Sequence, residues 1–212
     1  MRNKTSFIFD LDGTLVDSFY QNVSAWKAAF DTENIQLAMW RIHRKIGMSG
    51  GLFLEQIFRD TGVRIGSDQA DRLHAKHAEE YAKLQKQILP LPGAHDLLGK
   101  LSSLGLSWAI ATSGKLKTAQ MNLDALGIKA ENITLVTRDD VKYAKPDPDL
   151  FIAAAEKMGV RIQDCIVVGD AIWDMLAARR CRALGVGLLS GGYDIGELER
   201  SGALRGSVGA FG

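Results

Sequence analysis

The sequence predicts an α/β protein: a Rossmann-like parallel sheet with helices on both faces, plus an inserted all-helical segment. Three observations predict it. The run Phe7-Ile8-Phe9 is apolar and aromatic, then stops on Asp10, as a buried strand does where it leaves the core. From about Gly93 onward, short apolar runs alternate with amphipathic stretches, the grammar of strand–helix units in a parallel sheet. Between these two regions the apolar spacing is helical only.

The opening strand is followed by Ser18, a candidate helix cap. After it Phe19, Val23, Trp26 and Phe30 share one helical face. Ile35, Met39, Ile42 and Ile46 predict a second helix, broken by Gly47-Met48-Ser49-Gly50-Gly51. A third runs through Leu52, Phe53, Ile57 and Phe58 and ends at Gly62. Ser67 caps a long fourth, with Ala70, Leu73, His77, Tyr81 and Leu84 on one face. The stretch Leu89-Pro90-Leu91-Pro92-Gly93 reads as a linker. The predicted organisation is therefore a discontinuous α/β core, residues 1–17 and 91–212, around a helical insertion, residues 18–90.

The remaining core elements are predicted as helix 94–104, strand 106–111, helix 115–126 and strand 133–136. A helix capped by Asp147 with Pro148 in its first turn comes next, then strand 165–168, helix 171–181 and strand 183–188. The Gly-rich stretch 206–212 reads as a loosely ordered tail.

Composition narrows the function. Across 212 residues the chain is 46% hydrophobic and 24% charged, with a net charge of +1. That balance gives no global field for nucleic acid or a membrane surface. No apolar stretch is long enough to span a bilayer. Cys165 and Cys181 form no metal-ligand or redox pair, which fits a reduced, cytoplasmic setting.

In an open parallel sheet, ligands sit at the carboxyl ends of the strands. The residues expected there are Asp10 and Asp12, then Thr112-Ser113-Gly114, then Lys145 before Pro146, then Asp170 with Asp174 one helical turn on. On an extended chain Asp10 and Asp12 project to the same side, and Gly13 permits a sharp turn. Clustered acids with one lysine and small hydroxyls suit a divalent cation, magnesium by its preference for oxygen ligands, and a phosphoryl group. Without such cations each close acid–phosphate pair repels by about 4 kcal/mol.

Asp10-Leu11-Asp12-Gly13-Thr14 and the three later motifs, in this order and spacing, resemble the haloacid dehalogenase superfamily over nearly the whole chain. The likeness is to its phosphatase-like branch with an α-helical, C1-type cap, the group of phosphoglycolate phosphatases and β-phosphoglucomutases. The resemblance implies a Mg2+-dependent phosphatase that hydrolyses a small phosphate ester through an aspartyl-phosphate. It implies Asp10 as nucleophile, Asp12 as general acid and base, and Lys145 as the neutralising cation. Thr112 and Ser113 would hold phosphate oxygens. Asp10, Asp12 (through its carbonyl), Asp170 and Asp174 would serve the metal, Asp174 as an outer carboxylate acting through water. Dehalogenating members lack an acid at the position of Asp12, because a halide needs no proton.

Other readings stay open. A phosphoglucomutase-like phosphotransferase shares every core motif, and a phosphoryl-accepting module without turnover would also combine strand-end acids with Thr and Lys. Lys45, Met48 and Ser49, in the break between helices, are the candidates for recognising the leaving group, with a plain turn as the alternative. His74 and His77 stand three apart on one helix without an evident third metal ligand, which favours packing. Monomer and homodimer are both compatible with the sequence.

Overall fold

The computed structural model describes residues 5–204. The Gly-rich tail of residues 206–212 lies outside them. Five parallel strands form the central sheet: β1 (Ser6–Phe9), β4 (Trp108–Ala111), β5 (Thr134–Val136), β6 (Cys165–Gly169) and β7 (Leu184–Gly187). Their spatial order is β5-β4-β1-β6-β7, so the sheet grows outward from β1 on both sides.

Strand alternation sorts the core into two layers. Phe9 is in register with Ile110 and Val168, and all three belong to a cluster completed by Leu98, Leu101, Leu123 and Leu126. These come from α5 (Ala94–Ser103), from α6 (Leu116–Ala125) and from the residue just after it. Ile8 is in register with Ala109 and Val167 and faces the opposite layer. There α7 (Asp149–Met158) contributes Leu150, Phe151 and Ala154, and α8 (Ile172–Arg180) contributes Ala177 and Ala178. Burial on both sides explains why these strands read as continuous apolar runs.

Between β1 and β4 lie α1 (Phe19–Thr32), α2 (Met39–His43), α3 (Gly50–Thr61) and α4 (Ser67–Leu84). They pack around an apolar cluster of their own, with Phe19, Trp26, Phe30, Ile42, Phe53 and Leu73 among its members. Where this segment leaves and rejoins the sheet, β2 (Val16–Asp17) pairs antiparallel with β3 (Leu89–Pro90). This ribbon was not expected. Two-residue strands carry no periodic signal, and Pro90 argues against a strand.

Several expectations need correcting. The second helix is only five residues long, because Ile35 and Leu37 enter the cluster from an irregular segment and Met39 is exposed. The break before α3 is residues 44–49, and Gly50 and Gly51 open the helix. Ser18 makes no cap bond; its hydroxyl goes to Asp12. Ser67 is the first helical residue and Gly66 the cap, while the Ser67 hydroxyl bonds Asp68. Asp147 stands outside α7, whose cap is Pro148, and pairs instead with Arg180 at 3.1 Å. Helix α9 (Ile195–Ser201) was missed, although Asp194 and Glu197 form a capping box that the sequence spells out.

Candidate active site

The site forms where β1, β4 and β6 end. The backbone N–H of Asp10 donates to Val168 at 2.9 Å, carrying the β1–β6 ladder one residue past the strand. The chain then folds back at once. Gly13 adopts φ +81°, and its N–H donates to the Val16 carbonyl at 2.8 Å. Only glycine takes this backbone without strain, and a Cβ here would sit 2.4 Å from an Asp170 oxygen. The Ser190 hydroxyl donates to the Gly13 carbonyl at 2.6 Å and ties this turn to the loop after β7.

Lys145 is 1% exposed, an extreme value for a lysine, and its ammonium bonds both Asp10 and Asp174, the latter at 2.7 Å. Asp10, Asp170 and Asp174 are all buried, with a carboxylate oxygen from each within 4.8 Å of the others. Fully ionised, three carboxylates against one ammonium leave two negative charges in excess. Burial, with Asp174 and Asp12 nearby, outweighs Lys145 and pushes the Asp10 carboxyl up to about 7. Burial and the neighbouring Asp10 and Asp174 hold Asp170 well above the carboxylate range. Burial disfavours the Lys145 charge, yet Asp10 and Asp174 prevail and raise its pKa.

The Asp170 carboxylate shows what the cluster lacks. One oxygen accepts from Thr14 at 2.8 Å; the other is buried without a hydrogen-bond partner among the described residues. A buried, unpaired carboxylate oxygen on a residue clustered with two other acids is costly unless a cation meets it. The donor set is oxygen only, and the charge excess equals that of one divalent cation, so the residues fit such an ion.

Asp12 belongs to a different set of contacts. Its Oδ1 accepts from Ser18 Oγ at 2.7 Å, from Asn122 Nδ2 at 2.7 Å and from Asn22 Nδ2 at 3.1 Å. Its Oδ2 lies 3.4 Å from the Thr112 hydroxyl. Asp10 and Asp12 follow the strand end at Phe9, and their carboxylates take different partners, Lys145 for Asp10 and Ser18, Asn22 and Asn122 for Asp12. The Thr112 hydroxyl accepts from the Gly114 N–H at 3.0 Å, and the Ser113 hydroxyl is buried with no partner among the described residues.

A cavity of about 760 Å³ opens over these groups, lined on the sheet side by Asp10, Asp12, Thr112 and Ser113. The helices supply its other wall, including Trp26, His74 and His77. Trp26 stacks on His77 with ring centres 4.3 Å apart, and His77 sits 3.2 Å from Asn22 Oδ1. Burial pushes His77 down to about 3 and lowers His74 as well, so both face the cavity neutral. Neither histidine joins the acid cluster.

Lys45 and Met48 line the cavity, Lys45 in an ion pair with Asp60 at 2.7 Å and Met48 with its side chain in the helical cluster. Ser49 does not line it. Its backbone N–H donates to the Lys145 carbonyl at 3.0 Å, joining the helices to the buried lysine. Arg44 and Glu197 form a second tie, and the Tyr193 hydroxyl donates to the Arg44 carbonyl at 3.1 Å.

Asp10, Lys145, Asp170 and Asp174 thus meet in space, with Thr112 and Ser113 beside them. Asn22, Asn122 and Tyr81 were missed. An Asn or Tyr on an otherwise apolar helical face was the available signal, and α6 buries Asn122 between Ala119 and Leu123.

Comparison with known proteins agrees with this geometry. A family model for haloacid dehalogenase-like hydrolases matches residues 5–182. Hexitol phosphatase A of Escherichia coli (strain K12) is 32% identical over 190 residues, 85% of this chain and 82% of that protein. Phosphoglycolate phosphatase of Caulobacter vibrioides is 28% identical over 203 residues, 95% of this chain and 85% of that protein. The crystal structure of a hydrolase from Pseudomonas syringae superposes with a TM-score of 0.94 at 66% identity, covering 97% of this chain and 93% of that one. The chain belongs to the haloacid dehalogenase-like hydrolases.

Proposed function

We propose that this hydrolase is a magnesium-dependent phosphatase that cleaves a small organic phosphate monoester through an aspartyl-phosphate. The observation that carries the reading is the buried trio Asp10, Asp170 and Asp174, balanced by Lys145 alone, with Asp10 on the wall of a cavity that Thr112 and Ser113 also line. Relatives named as phosphatases support it.

Asp10, Asp170, Asp174 and the Asp12 carbonyl would hold the ion. When bound, magnesium supplies positive charge to the phosphoryl oxygens and the acids beside them. The protein's own groups do the rest. The Asp10 carboxylate attacks phosphorus, the ester P–O bond breaks, and the leaving oxygen takes a proton from the Asp12 carboxyl. A water then attacks phosphorus, gives its proton to the Asp12 carboxylate, and the bond to Asp10 breaks. Inorganic phosphate leaves with Asp10 ionised and Asp12 protonated, as at the start. Thr112, Ser113 and Lys145 hold the phosphoryl oxygens throughout.

Helices α1–α4 act as the cap. They exclude bulk water over the site and present Lys45, Met48 and the Trp26–His77 wall to the leaving group. The Ser49 backbone, bonded to Lys145, contributes position and not a side chain. No helix of the described residues is long and apolar enough to cross a membrane. The free thiols of Cys165 and Cys181 support a cytoplasmic setting.

The deciding experiment assays a panel of phosphate esters with and without Mg2+, using the wild type and Asp10→Asn. Phosphate release that needs both the metal and Asp10 is the expected result. Undiminished turnover by a folded Asp10→Asn variant overturns the reading.

A further inference from the structure

The Asn122 amide is fully buried on a helix face otherwise given to Ala119 and Leu123. A buried amide costs about 1–3 kcal/mol unless its hydrogen bonds are met. Here both ends are met, and in one orientation only. Nδ2 donates to Asp12 Oδ1 at 2.7 Å, while Oδ1 accepts the Tyr81 hydroxyl at 2.8 Å. Tyr81 is itself fully buried on α4, and its one phenolic proton is committed to this bond, though Asp12 Oδ1 lies 3.3 Å away. Ser18 and Asn22 complete the grip on the same carboxylate oxygen. The Ser18 hydroxyl and the Asn22 and Asn122 amides therefore converge on Oδ1. Oδ2 is left toward Thr112 and Gly114, the turn that edges the cavity.

We propose that Asn122, oriented by Tyr81, is a positioning residue that clamps Oδ1 of Asp12 so that Oδ2 alone is presented to the ester oxygen. The proposal rests on Asp12 carrying the proton in phosphoryl transfer. An ionised carboxylate offers two equivalent oxygens; donors on one of them remove the ambiguity and fix the torsion of the side chain. Because Tyr81 belongs to the cap and Asn122 to the core, the clamp is whole only when the two are packed together.

The test compares two esters, since the need for a proton depends on the leaving group. Glycerol phosphate releases a poor alkoxide, whereas p-nitrophenyl phosphate releases a stable phenolate. The constant compared is kcat/KM, which reports the first transfer. For Asn122→Leu the expected loss is ~100-fold on glycerol phosphate and much smaller on the nitrophenyl ester, the scale set by misplacing a catalytic acid. Tyr81→Phe keeps the ring and the packing, and should lose ~10-fold with the same asymmetry. The double variant should lose no more than Asn122→Leu, because Tyr81 acts through Asn122.

Equal losses on both esters, or none, overturn the clamp. If Asn122→Leu does not fold by circular dichroism, Tyr81→Phe carries the test on the same criterion. Asp12→Asn is measured alongside. Should it retain glycerol phosphate turnover, the proton-carrier reading itself fails. Should it lose that turnover while Tyr81→Phe and Asn122→Leu do not, only the clamp fails.

Discussion

The Lys145 ammonium nitrogen stands 2.7 Å from an Asp174 carboxylate oxygen while also bonded to Asp10, and both lysine and aspartate side chains are 2% exposed or less. Removing one partner of a buried ion pair strands the other. Lys145→Met should therefore cost about 3–5 kcal/mol of stability at neutral pH. The loss should shrink near pH 5, where the Asp10 carboxyl, raised by burial to about 7, is protonated. Urea unfolding at the two pH values checks this, and an equal cost at both would contradict it.

Metal and pH are linked through the same cluster. The folded state raises the Asp10 carboxyl from 3.8 to about 7, and raises Asp170 too, so between those values the folded chain binds protons that the unfolded chain releases. Stability is then fully present at low pH and declines as pH rises through this window. In chelator, the melting temperature should fall from pH 5 to pH 7.5 by the contribution of these groups. Added Mg2+ should restore it at the upper end, and Asp170→Asn should blunt both effects. A chelated wild type whose melting temperature varies with pH no differently from that of Asp170→Asn would refute the assignment.

Glycine substitutions separate close approach from helix propensity. A Cβ on Gly191 would lie 2.3 Å from an Asp170 side-chain oxygen and 2.4 Å from its carbonyl oxygen. Gly191→Ala must displace Asp170, so the stabilisation by Mg2+ should be largely lost. Gly99, exposed inside α5, has nothing within 4 Å of the added carbon. Gly99→Ala should raise stability by ~0.5–1 kcal/mol through helix propensity alone. Thermal melts of the two variants with and without Mg2+ provide the comparison.

Acid should loosen the helical module first. Burial lowers the His77 pKa from 6.5 to about 3, so below pH 6.5 the unfolded chain takes up a proton that the folded chain refuses. Stability is present above pH 6.5 and is lost as pH falls toward the folded value. Trp26 stacks on this ring and reports it. Its fluorescence should change between pH 6 and 4 in the wild type, and less in His77→Gln.

What could be read in the sequence was what depends on near neighbours. The β1 strand and its acids, the alternation after Gly93 and the α3 end at Gly62 all obey local rules, and the structure has β1 at Ser6–Phe9 and Gly62 in the left-handed conformation. The second helix was misread because Ile35 and Leu37 reach the cluster without helical spacing. Ser18 and Asp147 have the right chemistry for caps, but tertiary partners claim them: Asp12 in one case and Arg180 in the other. The contacts of Asp12 were out of reach, since residues 12, 18, 22, 81 and 122 meet only after the chain has folded.

The β2–β3 ribbon has one more consequence. Val16 pairs with Pro90 and Asp17 with Leu89, so the two crossings into the helical segment lie side by side, one strand spacing of about 4.8 Å apart. The ends of that segment are thus already joined before any of its interior is chosen. Lengthening, shortening or exchanging what lies between them adds little closure entropy and leaves the sheet beneath undisturbed. A graft of an unrelated helical roof at these two doorposts should yield a folded protein with the same chemistry and a new clientele.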